Sequence, residues 1–118
     1  MYEYLKIAPE EIEKESFRII TKKLLESGAT LKEDEADIIK RVIHTTADFS
    51  FKDTLKFSDD AVFKARELIK NAATIVTDTN MTLAGINKKR LNRFGVRVKC
   101  FMADEDVARE AKERNVTR

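Results

Sequence analysis

Two short β-branched runs, set among segments of helical period, constrain this chain most. Residues 74–78 (TIVTD) and 96–101 (VRVKCF) are too short for stable helices and are bounded by polar residues, as buried strands are. Between them lie a helical stretch at 80–84 and a basic segment at 87–93, so the second run is reached by a crossover and the pair is expected to be parallel. Three helix-period segments precede the first run and one, 104–114, follows the second. The expected fold class is α/β, with helices flanking a mostly parallel sheet. Two strands make a poor sheet. The sheet is therefore expected to be incomplete in this chain, its further strands coming from a longer native protein or from another chain.

The helices have readable ends. Pro9 followed by Glu10, Glu11 and Glu13 is the order that opens a helix, Ile12, Ile19, Ile20 and Leu24 form its apolar positions, and Gly28 closes it. Ser16, four residues from both Ile12 and Ile20, belongs on or beside the inward face. Thr30-Leu31-Lys32-Glu33 reads as a capping box that starts a second helix near residue 31, with Ile38, Ile39, Val42 and Ile43 as its apolar arc. At about 100° per residue, Arg41, His44, Thr45 and Asp48 share the opposite arc. Residues 49–57 read as a loop carrying aromatic residues, and Ser58-Asp59-Asp60 as the cap of a third helix running to about Asn71.

A length of 118 residues fits one small domain, 1–118. With 42% hydrophobic residues, one Pro and three Gly, the chain is too apolar and too poor in breakers for a disordered tail. Its 23 basic and 21 acidic residues nearly cancel, so no bulk attraction to nucleic acid or membrane is expected. A single cysteine, Cys100, excludes an intrachain disulfide, and one Cys with one His cannot form a four-ligand zinc site within the chain. No apolar run is long enough to span a bilayer, and the acidic start lacks the order of a secretory signal, so a cytoplasmic location is expected.

His44 is the only side chain whose ordinary titration falls near neutrality. On the residues alone it reads either as part of a solvated polar face or as a titrating group flanked by an anion binder, Arg41, and a possible partner, Asp48. Asp78, at the carboxyl end of the first strand, stands where ligands collect in parallel sheets, and equally well as the N-cap of the next helix. The segment NKKRLNRFGVRVK carries six cations in thirteen residues, which allows an RNA-binding patch or a strand with basic outward positions. No glycine-rich phosphate loop, nucleophile elbow or metal-ligand cluster is present.

Several segments taken together resemble the precorrin-8X methylmutase family, including its cobalt-precorrin-8 branch. They are Tyr4-Leu5 with Pro9-Glu10-Glu11-Ile12, Glu15-Ser16-Phe17, Arg41-Val42-Ile43-His44-Thr45-Thr46-Ala47-Asp48, Phe57-Ser58, Ile75-Val76-Thr77-Asp78 with Met81 and Ala84-Gly85-Ile86, and Thr117-Arg118. The most specific part is Arg-x-x-His-x-x-x-Asp followed by Ile-Val-Thr-Asp-x-x-Met.

The resemblance implies an isomerase of corrin (cobalamin) biosynthesis. It would shift a methyl group from C11 to C12 of a tetrapyrrole, precorrin-8X or cobalt-precorrin-8, without a cofactor or a bound metal. His44 matches the family's catalytic histidine, Ser16 and Arg41 its substrate-binding residues, and Arg118 an arginine of the same pocket. Thr77 and Asp78 fall on the strand end beside it. Homodimers are implied, and partners in the form of nucleic acid or membrane are not. Family chains are longer, and the part absent here would supply further strands and pocket wall, so the chain alone is expected to be inactive. Asn115-Val116 stands where a glycine is common before Thr-Arg. A non-catalytic corrinoid carrier using the same pocket is the alternative.

Overall fold

The computed structural model describes residues 8–118, so the Tyr4-Leu5 part of the resemblance lies outside the described residues. The chain forms two compact units, 1–62 and 63–118.

The first unit is helical. Helix α1 (Pro9–Glu26) opens with Pro9 in its first turn beside Glu10 and Glu11, as the order of these residues requires. It closes at Gly28, whose φ of 68° lets Ala29 N–H reach Leu24 O (3.1 Å) and Gly28 N–H reach Leu25 O (3.0 Å). Helix α2 spans Glu33–Thr46, and a short helix α3 spans Phe51–Thr54 inside the segment expected to be a loop. The core is Ile20 and Leu24 of α1 against Ile39 and Ile43 of α2, with Ala29, Leu31, Phe49, Phe51, Leu55 and Phe57 packed around it. The aromatic segment is therefore a lid on this core.

Three expectations need correction here. The capping box does not form: α2 starts at Glu33 after an extended Lys32, without a side-chain cap. Leu31 is instead drawn against the core, and Lys32 pairs with Glu35 at 3.4 Å. Only half of each apolar arc is buried, since Ile12 and Ile19 are 55% and 44% exposed and Ile38 is 40% exposed. Asp48 does not continue the arc of His44, because α2 ends at Thr46 and Ala47 turns left-handed (φ 57°).

Helix α4 (Ala61–Lys70) crosses into the second unit. Strand β1 (Ile75–Thr77) follows, then helix α5 (Asn80–Gly85), helix α6 (Lys88–Asn92), strand β2 (Val98–Cys100) and helix α7 (Glu105–Glu113). The strands pair in parallel with Ile75 opposite Val98 and Thr77 opposite Cys100, as the crossover predicts. Helix α5 lies against both strands. Val96 and Ala111 are buried in this unit, and Thr77 is its buried polar residue. Among the described residues the sheet has only these two strands, which agrees with an α/β fold whose sheet is incomplete. No helix among the described residues is long and apolar enough to cross a membrane.

Candidate functional site

In the first unit, Glu13, Ser16 and Phe17 lie on one strip of α1 at spacings of three and four, and Arg41 and His44 lie three apart on α2. The two strips meet. Ser16 Oγ stands 2.7 Å from His44 Nδ1, and both side chains are partly buried. A hydroxyl both donates and accepts, so it can bond Nδ1 in either ring tautomer and in the protonated ring. When Ser16 donates to Nδ1, or when the ring is charged, Nε2 carries a hydrogen and is the donating atom.

Phe17 touches both neighbours. Its ring centroid is 5.3 Å from that of His44, with the planes tilted by 35°, and the Arg41 guanidinium lies 4.7 Å from the ring centre on α2's side. Arg41 also forms an ion pair with Glu13. Thr45, expected on the face of His44, donates its hydroxyl to Arg41 O at 3.0 Å. Asp48 is not directed to the imidazole: its Oδ1 accepts the Ser50 N–H at 2.8 Å. The Ser50 hydroxyl and N–H hold the Asp48 carboxyl below its ordinary range. On α1, the Arg18 guanidinium likewise holds the Glu15 carboxyl down, with contacts at 2.6 and 2.8 Å.

Beside this cluster, a cavity of about 630 Å³ is lined by Glu10, Glu13, Lys14, Phe17, Asp37, Ile38, Arg41 and Val42. Its charged lining residues are exposed, whereas Phe17 and Val42 are half-buried. Such a cavity can take an apolar body that carries ionic groups at its edge.

The second unit gathers the other three expected residues. Thr77, Asp78 and Arg118 line one cavity of about 310 Å³ together with Val76, Phe101, Met102 and Val107. Thr77 is buried, and its hydroxyl donates to Thr79 O at 3.1 Å and lies 3.4 Å from Lys99 O across the sheet. Asp78 is not the cap of α5, because that role belongs to Thr79, whose hydroxyl accepts the Thr82 N–H at 3.1 Å. The Asp78 carboxylate is exposed at the strand end. Arg118 Nη1 donates to Met102 O at 3.2 Å. Asn115, with φ 52°, supplies the left-handed turn for which a glycine is common: Val116 N–H reaches Ala111 O at 3.0 Å.

The six expected residues thus form two groups: Ser16, Arg41 and His44 in the first unit, and Thr77, Asp78 and Arg118 in the second. Three contacts went unassigned at the level of sequence, Glu13 to Arg41 and Phe17 to both Arg41 and His44. The signal that could have found them is the spacing of Glu13, Ser16 and Phe17 on one helix strip.

The family model for precorrin-8X methylmutase matches residues 11–118. The chain is 42% identical over 114 residues to the cobalt-precorrin-8 methylmutase of Salmonella typhimurium, covering 93% of this chain and 54% of that protein. It is 38% identical over 108 residues to the cobalt-precorrin-8 methylmutase of Leptospira interrogans, covering 91% of this chain and 48% of that protein. The crystal structure of the precorrin-8x methyl mutase from Thermus thermophilus superposes with a TM-score of 0.80 at 35% identity, over 88% of this chain and 50% of that one. The chain spans about half the length of the curated relatives it matches. With a family match that takes in α1 to α7 and a solved relative of the same fold, the chain belongs to the precorrin-8X methylmutase family.

Proposed function

We propose that residues 1–118 act as a single α/β domain of a cofactor-independent isomerase of cobalamin biosynthesis. It moves a methyl group from C11 to C12 of precorrin-8X or cobalt-precorrin-8, giving hydrogenobyrinate or cobyrinate. The names of the curated relatives favour the cobalt form. The observation that carries the reading is the Ser16–His44 hydrogen bond beside the Arg41 guanidinium in a chain of this family.

The chemistry asks little of the protein. A 1,5-sigmatropic methyl shift breaks one C–C bond and forms another within the same π-system, so neither a nucleophile nor an electron carrier takes part. His44 Nε2–H hydrogen-bonds or protonates a ring nitrogen and so favours the tautomer with the methyl at C12. Proton or hydrogen-bond donation of this kind is worth ~10²–10⁴-fold. Ser16 orients the imidazole. Arg41 and Arg118 grip peripheral carboxylates, for which planar guanidinium groups are suited. Thr77 and Asp78 shape the strand-end wall of the cavity that Arg118 lines. The enzyme works in the cytoplasm as a homodimer, with no nucleic-acid or membrane partner.

Incubating a complete-length protein that contains this chain with precorrin-8X and with cobalt-precorrin-8, and following the absorbance of the conjugated corrin, tests this reading. A spectral change that disappears in His44→Ala supports it. Full conversion by His44→Ala, or no binding of either precursor to the wild-type protein, overturns it. Product formation in a complete-length protein separates this reading from a corrinoid carrier, which family membership does not favour.

A further inference from the structure

Arg41 is already engaged. Its guanidinium lies over the Phe17 ring and is ion-paired to Glu13, and all three residues line the same cavity. The rim of that cavity holds three carboxylates, Glu10, Glu13 and Asp37, against two cations, Lys14 and Arg41. Lys14 is itself paired with Glu11 at 2.9 Å. An anionic ligand approaching this rim meets more negative than positive charge, and the guanidinium it needs is held by a carboxylate of the protein.

We propose that Glu13 is a stand-in carboxylate, and that Arg41 is an exchange anchor: a carboxylate of the incoming ligand takes the place of Glu13 on the guanidinium. This rests on the reading of the cavity as part of the tetrapyrrole site. Phe17 makes the exchange possible without loss of position. It holds the guanidinium in place through cation–π contact while the ionic partner changes, and the same ring borders His44. Glu13 is thus a specificity-determining residue. It admits groups that match its own charge and reach, and it disfavours neutral ring edges, which would strand the displaced carboxylate beside two others. The exchange is cheap because the Arg41 and Glu13 side chains are 59% and 54% exposed, and exposed pairs hold only weakly.

The test compares wild-type chain with Glu13→Gln, Glu10→Gln, Arg41→Ala and the double variant Glu13→Gln/Arg41→Ala. Circular dichroism checks that each is folded. Two probes are titrated: succinate, followed at the Arg41 side-chain Nε–H resonance where Arg41 is present and by calorimetry throughout, and cobyrinate, followed by absorbance. Freeing Arg41 should tighten both probes by roughly two- to fivefold in Glu13→Gln, the range of an exposed ion pair. Glu10→Gln, which removes a rim charge without freeing Arg41, should change affinity less. In the Arg41→Ala background the Glu13→Gln change should have no effect. Unaltered or weaker binding in Glu13→Gln overturns the exchange, and so does a gain that persists without Arg41. If Glu13→Gln captures succinate more tightly and neither protein binds cobyrinate, the exchange stands and the tetrapyrrole reading falls. If wild-type chain binds cobyrinate and Glu13→Gln binds neither probe better, the exchange falls and the tetrapyrrole reading stands.

Discussion

Ser16 Oγ meets His44 Nδ1 at 2.7 Å, and this one hydrogen bond ties the middle of α1 to the last turn of α2. It has a structural and a chemical consequence, which separate on mutation. Ser16→Ala removes about 0.5–1.5 kcal/mol of stability, the usual worth of such a bond. It also frees the imidazole from the hydroxyl that orients it, so turnover should fall about tenfold, a smaller loss than the one predicted for His44 itself. Thermal unfolding and the rate of corrin formation check the two parts separately.

His44→Ala should lower turnover by ~10²–10⁴-fold, the range for a lost acid or base. Corrinoid binding should largely survive, because the anchoring guanidinium groups remain. Wild-type rates in this variant would remove His44 from the chemistry.

Arg41→Ala should weaken binding of a polycarboxylate corrinoid by about 1–2 kcal/mol, a charge-assisted bond discounted for the exposure of the side chain. Arg41→Lys should recover only part of that loss. A lysine keeps the charge but loses the bidentate fork and the guanidinium's contact with the Phe17 ring. Equal affinities for Arg and Lys at this position would count against a role for the fork and the ring contact.

Gly28 isolates a backbone effect. A Cβ there would meet nothing within 4 Å, so Gly28→Ala creates no clash, yet its φ of 68° lies in the left-handed region. The substitution should cost about 1–2 kcal/mol, read from denaturant unfolding of the chain.

Asp48 provides a pH prediction. Its folded pKa is depressed by the Ser50 hydroxyl and N–H, so its stabilising contribution is present above the unfolded carboxylate pKa and is lost as the pH falls through the folded value. Ser50→Ala removes the hydroxyl and keeps the N–H bond, so the Asp48 pKa should rise part of the way back. Carboxyl-carbon NMR titration reads this directly. An unchanged Asp48 titration in Ser50→Ala would assign the whole effect to the backbone.

Much of the fold was legible because its signals are local. Pro9 and the acids after it start α1, Gly28 stops it, and the β-branched runs around Ile75 and Val98 form the parallel pair. What was not legible depends on partners distant in the chain. Ile20 and Leu24 are buried while Ile12 and Ile19 of the same arc are not, because α2 covers only part of α1. Thr30 fails to cap α2 because Leu31 gains more from the core than the cap could return. The face of His44, expected to be a polar arc shared with Asp48, is met by Ser16 and Phe17 of α1, far earlier in the chain. Family resemblance named Ser16, Arg41 and His44, but only the packed helices reveal that Glu13 and Phe17 stand among them.

Asn115 has a larger influence than its plain side chain suggests. Its backbone reverses the chain after α7, and the Arg118 guanidinium, held at the Met102 carbonyl, depends on that reversal for its aim. Asparagine bends leftward at little cost, whereas a β-branched residue there resists it. The charge that borders Thr77 and Asp78 is thereby steered by a single φ angle, a pivot that lies outside the cavity it serves.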